Sequence, residues 1–230
     1  RRRMSVLDRI TVVPFEKTNY IDEDTTKSMI FIHHTASSAN PFSVVDWWKS
    51  TPERVATSFV IGGNPGTSTK WKDGDIIQCF GSSKWAYHLG VTAKHLQIGG
   101  TKALSGPELN RRSIGIEICS WGQLTKTDKG FAAYNGIIVP DAQVCTLSVP
   151  FKGFKYYQKY TVAQLDTTFQ LLRYLGEKWQ IPVVYKGDRI FDLCPECAQG
   201  EPGIWTHVSC RSDKFDCFPQ PELITMLKAL

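Results

Sequence analysis

The chain has 230 residues, of which 42% are hydrophobic and 21% charged, fractions typical of a folded globular protein and not of a disordered or collagen-like one. No apolar run approaches the roughly 20 residues that a membrane-spanning helix needs, so we expect no membrane span. Lys and Arg exceed Asp and Glu by 27 to 22, a formal charge of +5 that is spread along the chain, and we therefore expect no nucleic-acid partner.

The predicted strands follow an N-terminal extension, residues 1–26, which is basic at its start and lacks the apolar segment of a secretory signal. The β-branched and aromatic run Met29 to His34 predicts a buried strand. Two further strands, Ala56 to Ile61 and Ile76 to Phe80, are separated by a turn rich in Gly, Pro and Ser. Ser113 to Cys119 is the clearest candidate for a central strand.

Two predicted helices lie between and after these strands. Ser43 is expected to cap a short helix, Val44 to about Ser50, with Trp47 and Trp48 packed in the core. A capping box at the start of residues 161–179 opens a longer amphipathic helix, because its threonine and glutamine are three positions apart.

The segment of about residues 122–160 is rich in glycine and aromatic residues and predicts an insertion of hairpins and loops. Pro221 opens a last amphipathic helix. Strands interleaved with helices predict an α/β fold, in which a mixed central β-sheet is flanked by helices. We expect a single domain over residues 27–230 that carries this insertion.

The histidines offer the first candidate chemistry. His33 and His34 end an apolar strand, and because side chains alternate along a strand, only one of the two faces a site at that end. His207 follows another apolar run, with Asp216 nine positions later. Two histidines and one carboxylate form the ligand set of a hydrolytic zinc site. The alternative is that these histidines are polar residues satisfied by hydrogen bonds.

Three blocks of sequence resemble the zinc-dependent N-acetylmuramoyl-L-alanine amidases. They are the strand ending in His33 and His34, the run Ser113 to Ile118, and the segment from His207 to Asp216, in the order of that family. The family, called amidase-2, includes AmpD-type amidases, phage lysins and peptidoglycan recognition proteins. The segment after His207 looks most like a bacteriophage endolysin. The resemblance implies the fold above and one catalytic zinc ion.

The resemblance also implies a role for each matching residue. His33, His207 and Asp216 would be the metal ligands, with Cys217 as the alternative third ligand. Glu117 would act as general base, and Lys214 would stabilise the oxyanion. Many relatives carry a tyrosine in the strand after the first helix, and this chain has none in residues 55–60, which places more weight on Glu117.

The implied substrate is peptidoglycan, cleaved at the amide between N-acetylmuramic acid and L-alanine. Trp85, His88 and Asn110 match groove positions of the family and would bind the substrate, the alternative being that Trp85 is a core residue. Aromatic residues of the insertion are expected at the groove rim; they are Phe154, Tyr156, Tyr157 and Tyr160.

Other interpretations stay open on the sequence alone. The chain could be a peptidoglycan-binding recognition module without activity, or a zinc peptidase that cuts within the stem peptide. Cys194 and Cys197 form a CxxC pair, either incidental to its loop or part of a second zinc site with Cys210. We expect synthesis in the cytoplasm and action on the cell wall after host lysis or export. The oligomeric state is left open.

Overall fold

The structure is a computed structural model and describes residues 4–230. Its central sheet has six strands in the order β1-β4-β3-β5-β2-β11, and only β3 and β4 pair in antiparallel fashion. The strands are β1 (Ile10–Val12), β2 (Met29–His34), β3 (Phe59–Ile61), β4 (Ile76–Gln78), β5 (Ser113–Ile118) and β11 (Gly203–Thr206). The mixed α/β fold predicted from the sequence is confirmed, and β1 shows that part of the N-terminal extension completes this sheet.

The central strands are apolar on both faces because helices cover both. Every residue of β2 is buried. On one face the sheet packs against α4 and α6, and on the other against α1. The helices are α1 (Pro41–Ser50), α2 (Ala93–Leu96), α3 (Gly106–Arg111), α4 (Val162–Trp179), α5 (Pro195–Ala198) and α6 (Pro221–Lys228). None of the helices in residues 4–230 is both long and apolar enough to cross a bilayer.

Helix α1 differs from its prediction in two respects, the residue that caps it and the burial of Trp47. Its cap is Asn40 and not Ser43, because Pro41 occupies the first turn and the Asn40 side chain accepts a hydrogen bond from the Phe42 N–H. Trp48 is buried as expected, but Trp47 is 59% exposed. Neighbours on a helix point about 100° apart, so the sheet buries one tryptophan and not the other.

The insertion forms a second sheet of five antiparallel strands in the order β8-β7-β6-β10-β9. The strands are β6 (Gln123–Thr127), β7 (Gly130–Ala132), β8 (Ile138–Val139), β9 (Val144–Phe151) and β10 (Phe154–Gln158). This insertion sheet has a small apolar cluster of its own, formed by Leu124, Ala133, Val139 and Val144. It also reaches the loop before Asp216, where Phe154 packs edge-on against Phe215.

Candidate active site

Three buried side chains converge where the central strands end. The Nδ1 atoms of His33 and His207 are 3.0 Å apart, and each lies 3.2 Å from Oδ2 of Asp216. Within residues 4–230, this is the group of His, Cys, Asp or Glu residues that is close enough to share one metal ion. The structure therefore brings together the three residues that the sequence pattern singled out.

The strand register explains this convergence. His33 on β2 is paired with Glu117 on β5, and Thr206 at the end of β11 is paired with Ile32. His207 is the next residue and begins a short 3-10 turn, so His207, His33 and Glu117 lie side by side where three parallel strands end. Parallel strands present their carboxyl ends at one edge of a sheet, where binding sites of α/β folds commonly form.

A chain of hydrogen bonds fixes the protonation of His33. Nε2 of His33 lies 2.9 Å from Nδ1 of His88, and Nε2 of His88 lies 2.8 Å from the Ser113 hydroxyl, which donates to the carbonyl of Asn110. Since that hydroxyl is already a donor, His88 donates to it and accepts from His33. Burial lowers the pKa of His33 to about 4. His33 is therefore neutral and directs the lone pair of Nδ1 at the cluster.

His207 is held in the same way by a backbone carbonyl. Its Nε2 lies 2.7 Å from the oxygen of Leu89, and because a carbonyl only accepts hydrogen bonds, Nε2 carries the hydrogen. Nδ1 of His207 thus faces His33 and Asp216. Burial opposes ionisation of Asp216, but positive charge in this cluster, on a histidine or on a bound cation, outweighs it and holds the pKa of the Asp216 carboxyl well below the ordinary range. Three acceptor atoms this close form a site that could hold a cation.

Glu117 lies beside this cluster without a protein partner. Its Oε2 atom is buried and makes no hydrogen bond within residues 4–230. Burial and the negative charge of Asp216 raise the pKa of Glu117 well above its ordinary range, while Lys214 acts in the opposite direction. A buried carboxyl oxygen without a donor is costly in a fold, so its retention here indicates a functional role.

These residues open onto a groove of about 720 Å³. His207 and Asp216 of the cluster lie along it, with Glu117, Lys214 and residues of α1 and the insertion. His88 reaches the groove wall, although its ring is engaged by His33 and Ser113. The sequence pattern gave no sign of the supporting roles of Ser113 and of the Leu89 carbonyl, since a backbone oxygen leaves no trace in the sequence.

Trp85 and Asn110 do not line the groove, contrary to the expectation that they bind substrate. Trp85 is 6% exposed, and its indole N–H donates to Glu23 at 2.9 Å. Asn110 is 2% exposed and accepts hydrogen bonds from the backbone N–H groups of His88 and Leu89. Both are supporting residues: Asn110 fixes the loop that carries His88 and the Leu89 carbonyl.

The remaining candidate site residues, His34, Cys217 and the tyrosines, lie away from the cluster. His34 points away from the cluster, with Nδ1 2.6 Å from the Tyr160 hydroxyl. The buried Cys217 thiol also lies beside Tyr160, and burial raises its pKa well above the ordinary range. Asp216 is thus the residue of the two that reaches the cluster. Tyr157 and Tyr160 are core residues and not groove residues.

The cysteine pair does not form a second metal site. Cys194, Cys197 and Cys210 are buried free thiols, and within residues 4–230 they do not come close enough to share one ion. The Cys194 thiol lies 3.1 Å from a carboxylate oxygen of Glu196 at the start of α5. The structure supports the simpler interpretation of this pair as part of its loop.

The chain is similar to one protein family over most of its length. Residues 23–216 match the family Amidase_2, described as N-acetylmuramoyl-L-alanine amidase. The chain belongs to this family. It is an amidase that hydrolyses the bond between N-acetylmuramic acid and L-alanine in peptidoglycan. No curated protein sequence is significantly similar to it.

Solved structures share the fold at low sequence identity. The structure of PlyL is 15% identical, with a TM-score of 0.51, and the alignment covers 95% of this chain and 94% of that chain. AMPDH3 from Pseudomonas aeruginosa is 15% identical, with a TM-score of 0.50 and coverage of 90% of this chain and 61% of that chain. At this sequence identity, both similarities show a shared fold and no more.

Proposed function

We propose that this amidase depends on zinc held by His33, His207 and Asp216. The observation that carries the proposal is the triangle of three lone-pair atoms beside the unpartnered Glu117 carboxyl. Bonds of about 2.0–2.1 Å from zinc to tetrahedral ligands place those ligands about 3.3–3.4 Å apart. The triangle has edges of 3.0, 3.2 and 3.2 Å, so the ion fits after a small expansion.

The donor set also matches the chemistry of zinc. Imidazole nitrogens and a carboxylate suit this ion, and three protein ligands leave a fourth position for water or substrate. Both imidazoles donate their other N–H, to His88 and to the Leu89 carbonyl, which orients the rings and makes the ligating nitrogens more basic. When bound, zinc supplies a positive charge that polarises the scissile carbonyl and acidifies a water molecule.

Glu117 is the proposed proton carrier. Its Oε2 atom faces the groove with no competing hydrogen bond, so it can accept a proton from the attacking water and return it to the departing nitrogen of L-alanine. The raised pKa of its carboxyl favours holding that proton between the two transfers. A cation in the adjacent triangle counteracts the repulsion from Asp216 and lowers this pKa towards the working range.

Lys214 is proposed to stabilise the oxyanion of the tetrahedral intermediate. It lines the same groove, two residues before Asp216, and within the described part of the chain its ammonium group forms no ion pair. A cation placed where charge develops only in the transition state accelerates the chemical step and does not simply tighten ground-state binding.

The test is digestion of purified peptidoglycan, with and without a chelator, followed by mass analysis. We expect release of intact stem peptides with a free N-terminal alanine, loss of this release after chelation, and recovery on adding zinc. Cleavage between alanine and glutamate would identify a peptidase instead. Binding of peptidoglycan without any product would identify a recognition module.

We further propose a bacteriolytic role of the endolysin type, with synthesis in the cytoplasm and action on the wall after lysis or export. The complete candidate ligand set and the intact Glu117 favour a lytic enzyme over a recognition module. Lysis of cells from outside by the purified protein, and its absence with Glu117→Gln, would test this role.

A further inference from the structure

Two large aromatic side chains line the catalytic groove and are exposed to solvent. Trp47 lies on α1 and is 59% exposed, and Tyr134 lies in the insertion, just after β7, and is 73% exposed. Exposed aromatic groups in a concave site commonly mark a binding surface, because water solvates them poorly. Tyr134 is supported from behind, where its ring packs edge-on against Trp121 at 6.1 Å.

These two residues belong to a part of the groove that carries no charge, which we call the neutral rim. It consists of Thr35, Ala36, Ser37, Ser43, Val44, Trp47, Trp48, Val55, Gln123 and Tyr134. The charged lining residues, apart from Glu117, lie instead on the loop that leads to Asp216; they are Asp213, Lys214 and Asp216. The groove lining therefore divides into an uncharged group, which includes residues of α1 and the insertion, and a charged group on the loop that leads to Asp216.

The substrate has the same division. On one side of the scissile amide is an N-acetylated sugar chain, which has apolar C–H faces, hydroxyls and amides but no charge on its rings. On the other side is a peptide that carries at least its terminal carboxylate. An aromatic ring packs on the apolar face of a sugar, and an amide such as that of Gln123 suits its polar edge.

We propose that Trp47 and Tyr134 hold the sugar chain of the substrate, so that the insertion sheet forms a glycan-binding wall of the active site. This inference rests on the proposed function. It assigns the neutral rim to the saccharide and leaves the loop of Asp213 and Lys214 to the peptide. The insertion then sets how strongly the enzyme prefers polymeric glycan over short muropeptides.

Binding of a peptide-free glycan tests the assignment directly. The probe is a purified oligosaccharide of N-acetylglucosamine, titrated calorimetrically; it is uncharged, whereas peptide-free N-acetylmuramic acid would carry a lactyl carboxylate. We expect Trp47→Ala and Tyr134→Ala each to weaken binding about 5–10-fold, as loss of one aromatic contact implies. Tyr134→Phe keeps the ring and should bind nearly as well as the parent.

Matched controls come from the same elements. Ile137→Ala changes an exposed apolar residue near Tyr134, and Lys49→Ala changes an exposed residue on α1; neither residue lines the groove. Both should bind the oligosaccharide as the parent does. With activity assays, Trp47→Ala and Tyr134→Ala should raise KM for polymeric peptidoglycan about 5–10-fold, whereas Ile137→Ala and Lys49→Ala should leave it unchanged.

Two results would overturn the proposal. One is a parent protein that does not bind the oligosaccharide, and the other is alanine variants that keep glycan affinity but lose affinity for free stem peptide. Failure of the proposed function is a separate result, because it is the absence of amide cleavage by the parent, whatever the glycan titration shows.

Discussion

His33 and His34 are adjacent in sequence, are both buried and both have a pKa lowered to about 4, yet their surroundings differ completely. His34 meets the Tyr160 hydroxyl, which can donate a hydrogen bond to it. His33 meets a second imidazole nitrogen and a carboxylate, neither of which has a hydrogen to spare. Burial alone therefore does not distinguish a structural histidine from a ligand. The count of donors and acceptors around its ring does.

The largest difference in effect is expected between mutation of His33 and mutation of His34. His33→Ala should abolish both zinc binding and amide hydrolysis, because it removes one corner of the donor triangle. His34→Gln should keep zinc and activity, because the amide oxygen can accept from Tyr160. Metal analysis of the purified variants and turnover of a muropeptide check both. Stoichiometric zinc in His33→Ala would remove His33 from the ligand set.

Glu117→Gln separates metal binding from catalysis on the same face. The amide has the same shape as the carboxylate but cannot take a proton, so turnover should fall about 10²–10⁴-fold. Zinc content should equal that of the parent, since Glu117 is not a member of the triangle. Near-normal turnover in this variant would exclude Glu117 as the proton carrier.

Mutation of His88 tests whether the hydrogen bond from His33 to His88 contributes to zinc affinity. His88→Leu removes the acceptor for the His33 N–H and should weaken zinc binding about 10–100-fold. His88→Gln is the control, because its amide oxygen can still accept that hydrogen bond and should restore part of the affinity. Competition with a chromogenic chelator measures both. Equal affinities for the two variants would contradict a hydrogen-bonding role.

The pH dependence of the free energy of unfolding tests whether His33 and His34 are both held neutral in the folded protein. Both folded-state pKa values lie below that of a free histidine, so between about pH 6.5 and 4 the unfolded chain binds more protons. The stability of the metal-free protein should therefore fall on acidification through this window, by about 1.4 kcal/mol per pH unit for each histidine. His34→Gln should lower that slope by one histidine's share, about 1.4 kcal/mol per pH unit, in urea titrations with a chelator present. An unchanged slope would show that His34 is not held neutral.

The central strands and the candidate ligands could be predicted from the sequence, but the pairing of the strands and the contacts around the ligands could not. Residues 29–32 are apolar without interruption, so both the strand and its buried position in the sheet could be inferred. The pairing of His33 with Glu117 could not, because register depends on contacts between distant segments.

The errors have a common physical origin. Exposure of Trp47 and burial of Trp85 are decided by which neighbour covers each ring, and hydrophobicity alone gives both residues the same prediction. The insertion was recognisable from its glycines and aromatics, but the assembly of its strands into one sheet, and the placing of Tyr134 at the groove, follow from long-range pairing that short patterns do not encode.

His33 lies on β2, Glu117 on β5 and His207 just after β11, so these neighbours come from segments that span most of the polypeptide. During translation, the first histidine leaves the ribosome long before the strand that precedes His207. A nascent chain thus cannot assemble the triangle of His33, His207 and Asp216 until nearly its whole length has left the ribosome.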